Sequence, residues 1–126
     1  MIEIINDIIS RLTSIQGFSG RVYRIWPQSK VNYPAAIVSR VSGATRLSDA
    51  DGTEIQAQLT YSIDIVCASQ KDADSLAEEV SDMLAGLNLH RTGTMDMYDD
   101  QLRMFRTIVT VSGIIDIRGN TFTGGY

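Results

Sequence analysis

The sequence feature that most constrains the fold is a strict alternation of apolar and polar side chains between residues 54 and 67. The apolar positions of this segment are Ile55, Ala57, Leu59, Tyr61, Ile63, Ile65 and Cys67. Successive side chains of a β-strand point to opposite faces of a sheet, so an alternation this long predicts a strand with one buried face. A helix would spread the same residues around its whole surface, because its period is 3.6 residues.

The flanking segments predict two helices and further strands. Apolar residues recur at spacings of three and four between residues 4 and 15 and between residues 73 and 87, and Ser69 and Asp72 resemble a helix-capping pair. Further β-like segments lie at 21–25, 35–47, 89–98 and 103–117. The predicted order is α-β-β-β-α-β-β, an α+β fold with two helices packed on one face of an antiparallel sheet.

The chain length fits one domain. We assign residues 1–117 of the 126-residue chain to a single α+β domain. Residues 118–126 are rich in glycine and are predicted to form a flexible C-terminal tail. The aromatic side chains of Phe122 and Tyr126 in this tail are candidate anchors for a groove on a partner.

The predicted strand at residues 54–67 is longer than the expected diameter of the domain. Its fourteen residues span about 46 Å, whereas a compact domain of this length is about 36 Å across. Either the strand bends within the body, or the hairpin tip around residues 49–54 projects as an arm; we predict the long projecting β-hairpin. Asp51 and Gly52 are favoured turn residues. A two-residue turn there would set Val41 opposite Ser62, whereas a three- or five-residue loop sets Val41 opposite Ile63 on the apolar face, and we favour the odd-length loop.

Two predicted surfaces carry more apolar side chains than is usual for a solvent-exposed surface. One is the arm, and the other is the reverse face of the sheet, which we define as the side away from the helices. Self-association of identical subunits would cover both surfaces. The alternative is a monomer with a bent strand and a partly apolar outer face. The predicted interface residues are Leu47, Asp49, Asp51, Ile55, Ala57 and Leu59 on the arm, Val38 and Val66 on the reverse face, and Phe122 and Tyr126 in the tail.

The titratable residues form no recognisable catalytic or metal-binding motif. His90 is the single histidine and has no cysteine or carboxylate at metal-ligand spacing. Cys67 falls in the apolar register of the long strand and has no second cysteine with which to pair. Asp49, Asp51 and Glu54 lack the spacing of an EF-hand calcium loop. We therefore predict no catalytic, cofactor-binding or metal-binding residues, no cofactor and no enzymatic activity.

The charge of the chain limits its partners. A net charge of −4 argues against a surface that holds nucleic-acid phosphates, since that needs clustered Lys and Arg. No apolar run approaches the ~20 residues that span a bilayer, and the first residues lack a basic signal-peptide region, so we expect neither membrane insertion nor secretion. The second predicted helix has an acidic face, which is common on a solvent-exposed helix. Such a face would also repel DNA that passes close to it. Its residues are Asp72, Asp74, Glu78, Glu79 and Asp82.

With this order of elements, the chain resembles the tail terminator, or tail completion, proteins of long-tailed bacteriophages. The resemblance covers nearly the whole chain and starts with the N-terminal amphipathic helix. The segments that carry it further are Gly20-Arg21-Val22-Tyr23, Tyr33-Pro34-Ala35-Ala36-Ile37-Val38, Ile63-Asp64-Ile65-Val66-Cys67 followed by the acidic, alanine-rich helix from Ala73 to Leu87, and Arg103-Met104-Phe105-Arg106-Thr107-Ile108-Val109.

The resemblance implies a hexameric ring seated on the last ring of the tail tube, which stops tube polymerisation and provides the head–tail joining surface. The implied partners are copies of the same chain, the major tail tube protein, and a head-completion or neck protein. DNA would pass through the channel without specific binding. The implied location is the virion, at the head–tail interface, after assembly in the cytoplasm of the bacterial host.

Other functions fit the same elements. A head-side neck or head-completion protein of a phage has the same need for symmetric assembly. From a different class, a small ligand-binding or enzymatic ferredoxin-like domain would also combine two helices with an antiparallel sheet, as would an adaptor domain outside any phage.

Overall fold

The computed structural model describes residues 3–26, 32–48, 50, 52, 54–101, 103–116 and 121–122. Its elements in chain order are α1 (Ile5–Thr13), a 3₁₀-helix (Gln16–Phe18), β1 (Val22–Tyr23), β2 (Ala35–Ser48), β3 (Glu54–Cys67), α2 (Gln70–Ala85), β4 (His90–Asp99), β5 (Met104–Asp116) and β6 (Thr121–Phe122). Two α-helices and one mixed sheet confirm the α+β class. The order of elements differs from the predicted one by the 3₁₀-helix after α1 and by β6 at the end.

The described strands form one sheet in the order β1-β2-β3-β5-β4, and β6 pairs with β5 beyond the end of β4. All strand pairs but one are antiparallel. The prediction of a wholly antiparallel sheet is wrong for β1, which runs parallel to β2. The segment between these strands, residues 24–34, is about as long as a parallel connection requires. The backbone N–H of Ala36 donates to the Arg21 carbonyl at 2.9 Å and fixes this arrangement.

β3 lies in the middle of the sheet, and its odd-numbered side chains face both helices. From Ala57 to Cys67 each of these side chains is at most 1% exposed. The odd-numbered residues of β5 share this face, since Tyr61 pairs with Val111 and Ile63 with Val109. The predicted alternation of β3 is therefore confirmed. The helix residues that bury this face are Ile5, Ile8 and Leu12 of α1, and Ala73, Leu76, Ala77, Val80 and Leu84 of α2.

The predicted projecting arm is wrong for the described residues. β5 pairs with β3 from Gln56 to Cys67, so β2, β3 and β5 run side by side almost to the Ser48–Glu54 pair at which the hairpin ladder ends. A third strand supports the hairpin along nearly its whole length. The long strand β3 is thus paired on both edges, with register shifts in its ladder with β2.

The register of the β2–β3 hairpin also differs from the prediction. The loop between residues 48 and 54 has an odd length, the alternative that the sequence favours, yet Ile63 pairs with Val38 instead of Val41. A register shift after Arg40 leaves Val41 outside the ladder, and two further shifts follow toward the hairpin end. The first two shifts fall on β2, and the last leaves Ile55 of β3 outside the ladder. A bulge inserts a residue without altering the order of apolar and polar residues along the sequence, so the regular alternation of β3 does not reveal these shifts.

The start of α1 is fixed by a polar cluster beneath it. Oε1 of Glu3 accepts hydrogen bonds from the backbone N–H groups of Ile4 at 2.9 Å and Ile5 at 3.0 Å. Tyr61 of β3 donates its hydroxyl proton to the same oxygen, and Arg40 of β2 lies 3.0 Å from Oε2. The first N–H groups of a helix lack intrahelical partners and carry the positive end of its dipole. The Glu3 carboxylate therefore caps α1 and ties it to two strands.

α2 begins at the predicted cap. The side chain of Ser69 accepts a hydrogen bond from the backbone N–H of Asp72 at 3.2 Å, which confirms the capping pair. The 3₁₀-helix after α1 approaches α2 at Gly17, where an added Cβ would lie 2.6 Å from Cδ2 of Leu76. Only glycine permits this approach without a shift of the leucine.

Removal of the Tyr61 hydroxyl tests the polar cluster. We expect Tyr61→Phe to lower the free energy of unfolding by about 1–3 kcal/mol, because the partly buried Glu3 carboxylate loses a charge-assisted hydrogen bond. Urea unfolding followed by circular dichroism measures this change. Tyr98→Phe is the matched control, since Tyr98 is 50% exposed and its loss should stay within about 0.5 kcal/mol. Equal losses in the two variants would contradict the role of the cluster.

Candidate interaction surface

The reverse face of the sheet carries two exposed methionines on the edge strand β4. Met95 is 59% exposed and Met97 is 44% exposed. They pair with Ile108 and Arg106 of β5, whose even-numbered residues point away from the helices because the odd-numbered ones lie in the core. We call Met95 and Met97 the methionine patch. Methionine side chains adapt to irregular surfaces, so the patch suits contact with another protein.

A pocket of about 270 Å³ opens beside the methionine patch. Its lining residues are Met97, Tyr98, Asp99, Asp100, Gln101 and Arg106. Nη2 of Arg106 lies 2.8 Å from Oδ2 of Asp64, and the guanidinium lies 5.0 Å from the ring centre of Trp26. A cation between a carboxylate and an aromatic face is held in one orientation. The pocket therefore has a rigid arginine on one side and an exposed methionine on the other.

A second apolar cluster lies on the reverse face next to Arg106. Its buried residues are Ala35, Ile37, Val66 and Met104, and Tyr23 and Tyr33 pack against them. The predicted exposure of Val66 is wrong, because Tyr23 and Tyr33 pack against its cluster and Val66 is buried. The placement of Val38 on the reverse face is also wrong. Val38 pairs with Ile63 and lies in the main core on the helix side.

Two of the six residues predicted for the arm, Ala57 and Leu59, belong to the core. Ala57 is 1% exposed and Leu59 is 0% exposed, so their predicted exposure is wrong, because both pack in the main core. Ile55 is half-buried. The backbone of Phe122 pairs with Ile114 as part of β6. The predicted interface positions that lie outside the described part are the side chains of Leu47 and Phe122, together with Asp49, Asp51 and Tyr126.

Charge is divided unequally along the chain. Residues 1–48 contain six basic and two acidic residues, a net charge of +4, whereas residues 49–126 contain five basic and thirteen acidic residues, a net charge of −8. The sheet order places β1 and β2 at one edge and β4 at the other. Among the described residues, Arg24 and Arg40 lie near the first edge, where Arg40 is paired with Glu3, and Asp96, Asp99 and Asp100 lie at or just after β4.

The solvent side of α2 adds to the negative charge. Its carboxylates are all exposed. Glu78 forms a 3.1 Å ion pair with Arg91 of β4, and Gln70 donates a 2.8 Å hydrogen bond to Asp74. Exposed pairs of this kind contribute little to stability, so the face remains a largely solvated acidic surface.

Neither a metal-binding cluster nor a membrane-spanning helix occurs among the described residues. Within the ranges given above, no three His, Cys, Asp or Glu side chains come together as a metal site. In the same part of the chain, no helix is both long and apolar enough to cross a bilayer. His90 is exposed at the start of β4.

Reasoning from the sequence missed the methionine patch and the Arg106 pocket. A signal was present, since Met95 and Met97 flank Asp96 with the two-residue period of a strand. Asp96 accepts a 2.9 Å hydrogen bond from Thr107 on the helix side, which turns the methionines to the reverse face. Only the strand pairing in the structure identifies β4 as an edge strand.

The fold resembles that of a virion protein. No protein-family model and no curated protein sequence matches the chain. A similar solved structure is a chain of the "Virion of native gene transfer agent (GTA) particle", which is 19% identical with a TM-score of 0.60. The alignment covers 83% of this chain and 88% of that chain. The likeness shows a shared fold over most of both chains.

Because the thiol of Cys67 is buried, we expect the free energy of unfolding to vary with pH in the alkaline range. Burial raises the pKa of the Cys67 thiol to about 11 from an ordinary value of 9.0, and the charge of Asp72 adds to the rise. Between these values the unfolded chain loses a proton that the folded chain keeps. We expect the free energy of unfolding to fall as the pH rises from about 9 to about 11, with no contribution from this thiol below that range.

Urea unfolding at a series of pH values measures this effect. Cys67→Ala is the control, because the difference between the two proteins isolates the thiol from every other titrating group. A difference that stays constant over the whole range would contradict the raised pKa.

Proposed function

We propose that this chain is a tail terminator of a long-tailed phage or of a phage-like particle. It forms a ring on the last ring of the tail tube, stops tube growth and provides the surface on which the tail joins the head. The observation that carries the proposal is the fold shared with a virion chain, over 83% of this chain and 88% of that one. The terminator-like order of elements along nearly the whole sequence supports the same role.

The composition of the reverse face supports a protein partner. Centres of protein interfaces are enriched in tryptophan, tyrosine and arginine, and Trp26, Tyr98 and Arg106 all lie within or beside the pocket. The methionine patch adds apolar surface at the same place. We assign the contact with the tail tube to the methionine patch and this pocket. A structural role of this kind requires no catalytic group.

The acidic face of α2 supports a position near the path of DNA. Its exposed carboxylates would repel the phosphate backbone, so DNA could pass a channel lined by α2 without being held. The partners in this proposal are six copies of the same chain in the ring, as in the family that it resembles, the tail tube protein and a neck protein. The location is the virion.

A head-side neck or head-completion protein is the second candidate. The shared fold with a virion chain fits either position in the particle. The two candidates differ in the structure that they bind first, which is the tube end for a terminator and the portal vertex of the head for a neck protein.

Tube capping tests the proposed function directly. We expect the purified chain to bind one end of tubes assembled from the tail tube protein of the same genome, and to stop their elongation. Negative-stain electron microscopy of tubes grown with and without the chain measures both effects. Continued elongation and an absence of the chain from tube ends would contradict the terminator. Binding to isolated DNA-filled heads instead of tubes would identify the neck candidate.

A charge placed in the methionine patch tests the assigned tube contact. Met95→Asp should weaken tube-end binding at least about tenfold, because a carboxylate would be desolvated in an apolar contact. It should leave the fold intact, since Met95 is 59% exposed. Ser75→Asp adds the same charge on the exposed side of α2 and should bind tubes like the original chain. Equal binding of both variants would exclude the patch as the tube contact.

A further inference from the structure

The described methionines differ sharply in their exposure. Met104 is 2% exposed and belongs to the second apolar cluster, and Met83 of α2 packs against the main core. Met95 is 59% exposed and Met97 is 44% exposed. The latter two lie two residues apart on one face of β4, so their Cα atoms are about 7 Å apart. The methionine patch therefore presents two neighbouring thioether side chains to solvent.

A thioether is open to oxidation when a dissolved oxidant can reach its sulfur. Oxidation adds one oxygen atom and converts a flexible apolar side chain into a polar one. In a core this change disrupts packing, whereas on an exposed strand it alters the surface and leaves the core in place. The sulfur of Cys67 belongs to a residue that is 0% exposed. Among the described sulfur-containing side chains, the patch is thus the part that an oxidant reaches first.

We propose that the methionine patch is an oxidation site, at which hydrogen peroxide controls the contact between this chain and its protein partner. A lone pair of the thioether sulfur attacks one peroxide oxygen, and the O–O bond breaks. The transferred oxygen gives its proton to the departing hydroxide, so that water leaves. The sulfur is oxidised to the sulfoxide, and the peroxide is reduced to water. Methionine sulfoxide reductases reverse the change. The inference rests on the proposed tube contact and names a regulation of that surface.

A sulfoxide in the patch would weaken an apolar contact. Its oxygen is a hydrogen-bond acceptor, and it loses its water when an apolar surface covers it. The neighbour across the strand pair offers no donor from its side chain, since Met95 pairs with Ile108. We therefore expect oxidation of the patch to lower the affinity for tube ends at least about tenfold.

Peroxide treatment of the folded chain tests the selectivity of the site. After digestion with trypsin, mass spectrometry measures the oxidised fraction of each peptide. Cleavage after Arg91 and Arg103 places the patch on one peptide, apart from Met83 and Met104. The patch should oxidise at least about tenfold faster than Met104, because susceptibility follows exposure. In urea the rates should become equal. Equal rates in the folded chain would overturn the inference.

A variant without thioethers in the patch links oxidation to binding. Met95→Leu with Met97→Leu, the patch variant, keeps apolar side chains of similar volume but cannot accept the oxygen. Met104→Leu is the matched control, because it removes a buried methionine and retains the patch. Both variants retain Met1, which lies outside the described residues. Each protein is compared with itself before and after peroxide, so any effect of a substitution on the starting affinity cancels.

Tube-end binding and hydrophobic-interaction chromatography measure the effect of oxidation. Peroxide should lower the tube-end binding of the original chain and of Met104→Leu at least about tenfold, and it should shorten their retention on the apolar column. The patch variant should change in neither measurement. Methionine sulfoxide reductases with dithiothreitol should restore the oxidised original chain. The inference fails if the patch variant responds like the original chain, if oxidation leaves binding unchanged, or if reduction does not restore binding.

The results separate this inference from the proposed function. A chain that caps tubes equally well before and after oxidation would retain the terminator role and lose the oxidation site. A chain that binds no tube ends would lose the terminator role. Selective oxidation and shorter retention, both absent from the patch variant, would then still support an oxidation site that controls how apolar this surface is.

Discussion

The structure depends on the burial of one face of β3. From Ala57 to Cys67, the odd-numbered side chains of this strand are out of water only because both helices lie on that side of the sheet. A strand buried in this way must also pair its backbone groups on both edges, since unpaired N–H and C=O groups away from water are costly. β2 and β5 meet this requirement along nearly the full strand. The central place of β3 and the one-sided arrangement of the helices follow from the same constraint.

The connections to β3 give the sheet its polarity. A hairpin brings β2 to one edge of β3, and α2 carries the chain across to β4 and β5 on the other. The first and the last parts of the described chain therefore lie on opposite sides of β3, with β1 and β2 at one edge and β4 at the other.

The helix side is occupied by the core, so the surfaces left for partners are the edges and the reverse face. Part of the reverse face is covered by the chain itself, where Tyr23 and Tyr33 pack over Val66. The remainder presents the methionine patch and the pocket beside Arg106. The edges and the reverse face point in different directions, so a contact on one of them leaves the other accessible.

The sequence by itself determined the helices, the principal strands and the buried face of β3, because helical and strand periods depend on local backbone geometry. It also contained the cap at Ser69 and the unequal charge of the two halves. Only the tertiary structure decided that Val38 faces the helices, that Val66 is covered, and that Met95 lies exposed on an edge strand. These outcomes depend on the register shifts between β2 and β3, on the packing of Tyr23 and Tyr33 over the reverse face and on the pairing of β4 with β5. Each is a contact between segments distant in sequence, for which no local period carries a signal.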